Sequence, residues 1–471
     1  MKVSNVRIKS MEIINFKNVE YGKIDFDNKR KPYKSSVLGL YGQNGSGKTA
    51  LINALSLLKF ALSGKQIPVK FADFINVGAS FATLKYSFKV INDIDNSEYD
   101  VLYEFSISKD IDELAQNTED DINDVDVKYK AVIFDEVISY SYKDDNTKKR
   151  FSTIVDTRTN EVFIPKNKYN ILVGRSETTR IDLLSTKKLT ATTSRSFIFS
   201  MELLNVFRKN CKEAYHLNLF NRLIAFGNFE LFVINTDNDG LISMNMLPLS
   251  FMYIDGNTST TGRFAIKLDG TTLIPDDSFE VVEKVIKSMN IVLTQLVPGL
   301  IIGIKDLGPE LLRNGKIGVR IQLVSYKNSE EIPLKYESEG IKKIISILQL
   351  LIVVYNDSSI TVAVDELDSG VFEYLLGELL KIISEQGKGQ LIFTSHNLRP
   401  LETIDKGFVA FTTTNPINRY IRFTNIKPNH NLRDIYYRDI ILGAKNECLY
   451  DITNNSEIAL AFREAGELGG S

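Results

Sequence analysis

The sequence has only two cysteines, Cys211 and Cys448, far apart and outside any CxxC pair. That excludes a disulfide framework and a cysteine zinc site, and it fits a reducing cytoplasmic setting. An excess of one charge is also missing: 57 Lys and Arg stand against 59 Asp and Glu, a net of −2. A chain coated with basic charge for tight nucleic-acid binding is excluded, while a local basic patch is not. Met1–Ser10 lacks the apolar core of a signal peptide. No run of about 18 apolar residues exists. The nearest, Ile341–Tyr355, is too short and holds Lys342 and Lys343, so no membrane partner is expected. Repeats, sustained heptads and low-complexity segments are lacking, and a long coiled coil with them. What is there is ordinary for a globular chain: 471 residues, 43% hydrophobic and 25% charged, enough for two or three domain-sized units.

The near-zero net charge hides a split. Residues 92–146 carry 17 acidic and 4 basic side chains, and residues 147–230 carry 15 basic and 7 acidic. Such asymmetry suggests surfaces with different partners. Val6–Asp27 alternates in two runs broken near Tyr21-Gly22 and reads as a β-hairpin; Val37–Tyr41 reads as a buried strand. A helix follows over Thr49–Leu62, then strands over Thr83–Val90 and Tyr99–Ile107. Asp110–Asp126 is an acidic, solvated loop, Leu183–Phe232 is mainly helical, and Phe279–Leu296 is an amphipathic helix. In the last third, helices at Ile341–Tyr355 and Val371–Ser384 alternate with strands at Ile360–Val364 and Gln390–Thr394. That order predicts a parallel sheet with crossovers.

Three segments carry chemistry. Gly42-Gln43-Asn44-Gly45-Ser46-Gly47-Lys48-Thr49 satisfies GxxxxGK[ST] between a strand and a helix. Glycines let the backbone wrap a polyphosphate with its N–H groups, and the helix N-terminus adds positive potential. Lys48, projecting from a surface loop, reaches the β- and γ-phosphates, and Thr49 offers its hydroxyl to Mg²⁺. Next, the apolar strand Ile360–Val364 ends in Asp365, a candidate Mg²⁺ holder, and Glu366, which can polarise the attacking water. Strand ends beside a phosphate loop are where open α/β sheets place ligands. Finally, Leu391–Ser395 delivers His396, one of three histidines with His216 and His430; there it can contact the γ-phosphate or the water. The bland readings are a glycine-rich turn, a surface Asp-Glu and a surface histidine. The order of the three segments disfavours all of them.

With Tyr336-Glu337-Ser338-Glu339-Gly340 before the second segment, the set resembles the ABC-type ATPases of the SMC, RecF and OLD group. Ser338-Glu339-Gly340 is similar to a divergent signature motif. Gly340 stands 25 residues before Asp365 and His396 stands 31 after it, spacings like those of the group, and Ile13–Lys17 is similar to its first strand. Ser338 also reads as a helix N-cap. The resemblance implies ATP and Mg²⁺ as ligands and a homo-oligomer built from head-to-tail dimers. In these, Ser338 and Gly340 of one copy meet the ATP on the other's phosphate loop, with Asp368-Ser369 as the D-loop. Glu339-Gly340-Ile341 replaces the usual Gly-Gly-Gln, which puts the ribose contact in doubt, and Asn76 is the candidate for the Q-loop position. Glu337–Gly340, Asp365–Gly370 and Leu432–Tyr437 further resemble phage-defence ATPases such as the AbiL and PARIS ATPase subunits.

The expected fold is α/β: an ABC-type P-loop ATPase head assembled from residues 1–91 and 301–430. An insertion spans 92–300, with an acidic β-rich part at 92–146 and a basic, mainly helical part at 147–230. Residues 431–471 form a tail. The expected function is an ATP-driven sensor or scaffold in bacterial antiviral defence, triggered by a phage protein and acting with a separate effector such as a Toprim-type nuclease. Only 75 residues follow His396, few for an added catalytic domain, and they lack the clustered acids of a metal-dependent nuclease. The rival is a RecF-like DNA-repair ATPase, supported by Lys187, Lys188, Arg195, Arg208 and Lys209, which otherwise read as a solvated helical face. A transporter ATPase is disfavoured by the large insertion and the divergent signature.

Overall fold

The computed structural model describes residues 4–29, 34–92, 96–112, 128–236, 241–242, 244–255, 258–312, 314–327, 330–423, 431–442, 447–451 and 454–468. Two six-stranded sheets organise it. The first is antiparallel, in the order Val19–Asp25, Ser4–Phe16, Phe81–Asn92, Ser97–Ile111, Tyr129–Lys143 and Lys148–Asp156. The second runs Tyr420–Ile421, Val409–Thr412, Ser36–Tyr41, Gln390–Thr394, Thr361–Val364 and Leu231–Ile234. It is parallel throughout except for the edge pair of Val409–Thr412 with Tyr420–Ile421.

Strand alternation sends the second sheet's side chains into two cores. Leu38, Leu40, Ala363, Ile392 and Ala410 join a cluster shared with the antiparallel sheet and with the helix Lys48–Leu62. That helix is buried nearly all round, from Ala50 through Leu55 and at Leu57, Leu58, Ala61 and Leu62, as expected of a helix apolar on every face. Val37, Tyr41, Val362, Val364, Leu391, Phe393, Val409 and Phe411 face the other way, toward the helices Asp276–Leu296, Glu339–Asn356 and Glu373–Gln386. In Asp276–Leu296 the buried positions Val282, Val285, Ile286, Met289 and Leu293 keep helical spacing. Burying each large apolar side chain contributes about 1.5–3 kcal/mol, so the parallel sheet that carries the phosphate loop is held between two cores, with the loop's helix inside the first. A smaller sheet joins Thr272–Pro275, Ile317–Lys327 and Leu300–Leu311, with Glu330–Pro333 paired to the middle strand, and Met246–Asp255 pairs with Thr258–Lys267.

Two local expectations change. The first hairpin turns at Lys17-Asn18, between Ser4–Phe16 and Val19–Asp25, rather than at Tyr21-Gly22. Gly22 lies inside a strand, paired with Ile13, and the Tyr420 ring packs where its side chain would stand; a Cβ there would come within 2.6 Å of the ring. The segment expected to be mainly helical holds the helices Glu177–Thr192, Met201–Asn210 and Ala214–Ala225, and then Leu231–Ile234 leaves as a strand. A short apolar run is ambiguous by periodicity alone. Here it is decided by pairing with Thr361–Val364. The expected boundary at 91/92 falls at the end of the strand Phe81–Asn92, which pairs along its whole length with Ser97–Ile111. The acidic β-rich stretch therefore continues the first antiparallel sheet. Most of the acidic loop expected over Asp110–Asp126 lies outside the described residues.

Candidate functional site

Three parallel neighbours of the second sheet, Ser36–Tyr41, Gln390–Thr394 and Thr361–Val364, end on one edge. Beyond them lie, respectively, the phosphate loop, Ser395-His396 and Asp365-Glu366. Asn44, Gly45, Gly47, Lys48, Thr49, Asp365, Glu366 and His396 line one cavity of about 740 Å³. Lys17, Asn18, Asp73 and Asn76 also stand on its wall. Asn76 is fastened to the first hairpin, its backbone N–H donating to Asn15 O at 2.9 Å and its Nδ2 to Lys17 O at 2.7 Å.

Four of the loop's carbonyls accept side-chain hydrogen bonds. Lys48 Nζ donates to Gly42 O and Gln43 O, each at 2.8 Å, Tyr420 Oη donates to Gly47 O at 2.9 Å, and Asn18 Nδ2 donates to Gly45 O. Gly45 and Gly47 take left-handed φ of 75° and 95°, conformations that glycine adopts without strain. An anion held by backbone N–H groups needs that turn geometry. Gly42 is required for space: a Cβ would sit 1.7 Å from Thr412 Oγ1. Ser46 is buried behind the loop, donating to Gln43 O at 2.7 Å and contacting Thr412 Oγ1. Gly42 and Ser46 therefore shape the loop from behind rather than wall the cavity.

Lys48 does not project from the surface; it is 6% exposed. Burial pulls its ammonium down to about 8, against the raising influence of Asp365, Glu366 and Asp368. Asp365 is 1% exposed. Its Oδ1 accepts from Thr394 Oγ1 at 2.6 Å, while Oδ2 is buried with no donor among the described residues. A buried carboxylate oxygen without a donor is costly to leave so. With the Thr49 hydroxyl on the same wall, it fits a hard divalent cation such as Mg²⁺, which takes oxygen ligands. Glu366 is half-buried and has φ 48°, rare for a residue with a Cβ; its backbone N–H donates to Thr394 Oγ1 at 2.8 Å.

His396 is exposed on the cavity wall, and its backbone is held by Asp368. Asp368 Oδ2 accepts from the His396 and Asn397 N–H groups at 3.0 and 2.8 Å. His216, by contrast, is a core residue: it is fully buried, contacts the Tyr140 hydroxyl, and has Nε2 3.1 Å from Glu213 Oε2. Burial pulls it down to about 4, so it is neutral at physiological pH. His430 lies outside the described residues.

Ser338 and Gly340 are not among the residues that line the cavity. Ser338 is exposed and caps its helix, Oγ accepting from Ile341 N–H at 3.3 Å. Gly340 is buried against the backbone of Gly370, where a Cβ would come within 1.9 Å of the carbonyl oxygen. Its glycine identity thus has a sufficient cause inside its own chain.

The tail brings residues to the site that the sequence had not placed there, although Tyr436 and Tyr437 end the Leu432–Tyr437 segment singled out for its resemblance. Gln43 Nε2 donates to Asp451 Oδ2 at 3.1 Å, and Asp451 N–H donates to Gln43 Oε1 at 2.9 Å. Tyr436, Tyr437 and Tyr450 line a second cavity of about 450 Å³, which shares Asn44 and His396 with the first. Tyrosines beyond the last motif carry no spacing signal that ties them to a phosphate loop.

The basic segment is partly spent internally. Lys187 Nζ donates to the carbonyls of Thr157, Thr159 and Glu161 at 2.8, 2.8 and 2.9 Å. Lys188, Arg195, Arg208 and Lys209 are exposed. Among the described residues, no helix is long and apolar enough to cross a membrane.

Residues 10–214 match a family model described as an AAA domain. The matched stretch contains the phosphate loop and ends before Asp365 and His396. No curated protein matches the sequence. Among solved structures, the chain is similar to the SMC head domain from Thermotoga maritima, at 14% identity and a TM-score of 0.36, over 89% of this chain and 99% of that one. It is also similar to the Smc head domain with an extended coiled coil, bound to the C-terminal domain of ScpA, from Pyrococcus furiosus. There the identity is 12% and the TM-score 0.39, over 89% and 96% of the two chains. For the recombination mediator protein RecF in its ATPrS structure, the identity is 13% and the TM-score 0.36, over 89% and 98%.

Proposed function

We propose that this chain binds ATP with Mg²⁺ and hydrolyses it, as an ABC-type head that closes head to tail on a second copy. The observation that carries the reading is the convergence of Lys48, Thr49, Asp365, Glu366 and His396, from three separate segments, on one cavity. Loop N–H groups and Lys48 hold the phosphates. Thr49 and the free oxygen of Asp365 hold Mg²⁺, which when bound offsets charge on the β- and γ-phosphates. Glu366 orients the attacking water and draws on its proton. His396 lies on the rim, where it donates to the γ-phosphate or to that water.

The head-to-tail arrangement is supported by the exposed signature face. Tyr336 and Phe372 are each 70% exposed beside Ser338 and the Gly340–Gly370 contact, an apolar surface that suits a second protein surface. In that arrangement Ser338 and Gly340 complete the partner's ATP site.

The wider role we propose is in the cytoplasm, as the sensor or scaffold of a bacterial anti-phage system, with a separate effector and a phage protein as trigger. This part rests on the resemblance of Glu337–Gly340, Asp365–Gly370 and Leu432–Tyr437 to phage-defence ATPases. The competing RecF-like, DNA-binding reading has lost Lys187 to internal carbonyls and keeps the four exposed cations.

The test is turnover by the purified chain: Mg²⁺-dependent release of phosphate from ATP is expected, and none under any divalent cation would end the reading. Titration with duplex DNA at two salt concentrations separates the roles. Affinity falling steeply with salt would favour the DNA-binding one, because each neutralised phosphate steepens the slope.

A further inference from the structure

We propose that Thr394 is a positioning residue of this site, its single hydroxyl setting the Asp365 carboxylate and the Glu366 backbone together; this rests on the ATPase reading above. Thr394 ends the strand Gln390–Thr394 and is fully buried. The register of the parallel pair runs Thr361 to Gln390 through Val364 to Phe393, so one step further sets Asp365 beside Thr394. Strand alternation puts both on the sheet face of Ala363 and Ile392.

Residue 394 then engages three consecutive residues of the other strand end. Its Oγ1 donates to Asp365 Oδ1 at 2.6 Å, accepts from Glu366 N–H at 2.8 Å, and its carbonyl accepts from Leu367 N–H at 3.0 Å. A hydroxyl has one proton and two lone pairs. The proton is committed to Asp365, which orients that carboxylate so that Oδ2 stays free. A lone pair is committed to Glu366 N–H, at a residue whose φ of 48° is unfavourable for a side chain with a Cβ. One side chain therefore sets the aim of the proposed cation ligand and holds the turn that presents the proposed water-polarising carboxylate. Neither task is done by contact with substrate, so Thr394 acts through Asp365 and Glu366.

Two variants separate hydroxyl from shape. Thr394→Val keeps the branched shape in a buried strand and removes both side-chain hydrogen bonds; Thr394→Ser keeps the hydroxyl and removes a methyl. Outer-shell partners of ligating carboxylates typically contribute about 10–100-fold. Thr394→Val should lower kcat by about that factor with little change in KM for ATP, and should raise the Mg²⁺ concentration needed for half-maximal rate. Thr394→Ser should stay near wild type. Wild-type kcat and Mg²⁺ dependence in Thr394→Val would overturn the inference, and so would Thr394→Ser falling as far as Thr394→Val, which would assign the effect to packing. Circular dichroism checks folding, and Thr394→Ala is read the same way if Thr394→Val does not fold. Binding of a fluorescent ATP analogue across a Mg²⁺ series gives a readout independent of turnover: the gain in affinity from Mg²⁺ should shrink in Thr394→Val. Wild-type protein that binds but does not hydrolyse ATP would defeat the hydrolysis reading alone. Wild-type turnover with Thr394→Val unchanged in both assays would defeat the Thr394 inference alone.

Discussion

The phosphate-loop half and the signature half of the proposed ATP site are built in opposite ways. Lys48 and Asp365 are buried, and the loop's carbonyls are held by Lys48, Asn18 and Tyr420. Ser338 is exposed, its hydroxyl capping its own helix, and the rings of Tyr336, just before it in sequence, and of Phe372, just after Gly370, face solvent. Catalytic geometry needs preorganisation, and buried side chains locked by hydrogen bonds provide it. A surface that must open and close has to remain exposed in the single chain. The contrast teaches that one half is preorganised within the fold, while the other is left exposed, as the proposed head-to-tail closure requires.

The strongest way to break this contrast is Lys48→Ala. It removes the cation of the finished half and the donor to two loop carbonyls. ATP hydrolysis should be abolished while circular dichroism still reports a folded protein; a folded variant with normal turnover would show that the site is misplaced. Glu366→Gln should be milder. Its amide keeps the carboxylate's shape, so ATP binding persists, while hydrolysis slows by about 10²–10⁴. If ATP closes the signature face on a second copy, the slow variant should accumulate the closed state. Light scattering with ATP and Mg²⁺ should then report a longer-lived assembly than in wild type.

On the other half, Phe372→Asp should leave nucleotide affinity intact and remove ATP-dependent association, because a carboxylate replaces an exposed apolar ring at the proposed contact. Equal association in size-exclusion runs with ATP would mean that this face meets no second copy. Gly340→Ala tests the interior of the same half. With only 1.9 Å between its Cβ and the Gly370 carbonyl oxygen, the backbone must move, at a cost of about 1–3 kcal/mol. A lower melting temperature is expected, and an unchanged one would mean that the 340 and 370 segments are not held together.

The smallest effect is a proton count. Lys48 is held at about 8 chiefly by burial, so its neutral form grows as pH rises through that value. A bound polyphosphate puts negative charge beside the ammonium and raises its pKa. Nucleotide binding near pH 8 should therefore take up protons, and affinity should weaken above it. Calorimetry in buffers of different ionisation enthalpy measures the uptake; zero uptake at pH 8.5 would mean that Lys48 is already fully charged.

Much of this is legible in the sequence. Gly42–Thr49 was legible because its glycines permit the positive-φ turn that an anion-holding loop needs, with a lysine and a threonine placed at the start of the helix that follows. Bare apolar runs ending in Asp365-Glu366 and in His396 mark buried parallel strands with polar ends, and the sheet places them so. Helix spacing in Asp276–Leu296 was legible for the same reason, since side-chain periodicity is a local property. The Tyr21-Gly22 break was misleading because a strand glycine that makes room for a distant ring resembles a turn glycine. Leu231–Ile234 was too short for periodicity to separate strand from helix.

The sequence alone therefore determined which residue types could hold phosphates, a cation and a water, and in what order along the chain. Only the tertiary structure decided that Asp365 would keep one oxygen free while Thr394 held the other. It alone decided that Gly340 is a glycine for the sake of Gly370, that Lys187 is spent on three carbonyls, and that Asp451 is paired to Gln43. Each of these depends on groups far apart in sequence meeting at hydrogen-bond or van der Waals distance. Such meetings follow from sheet register and core packing, which no local pattern encodes.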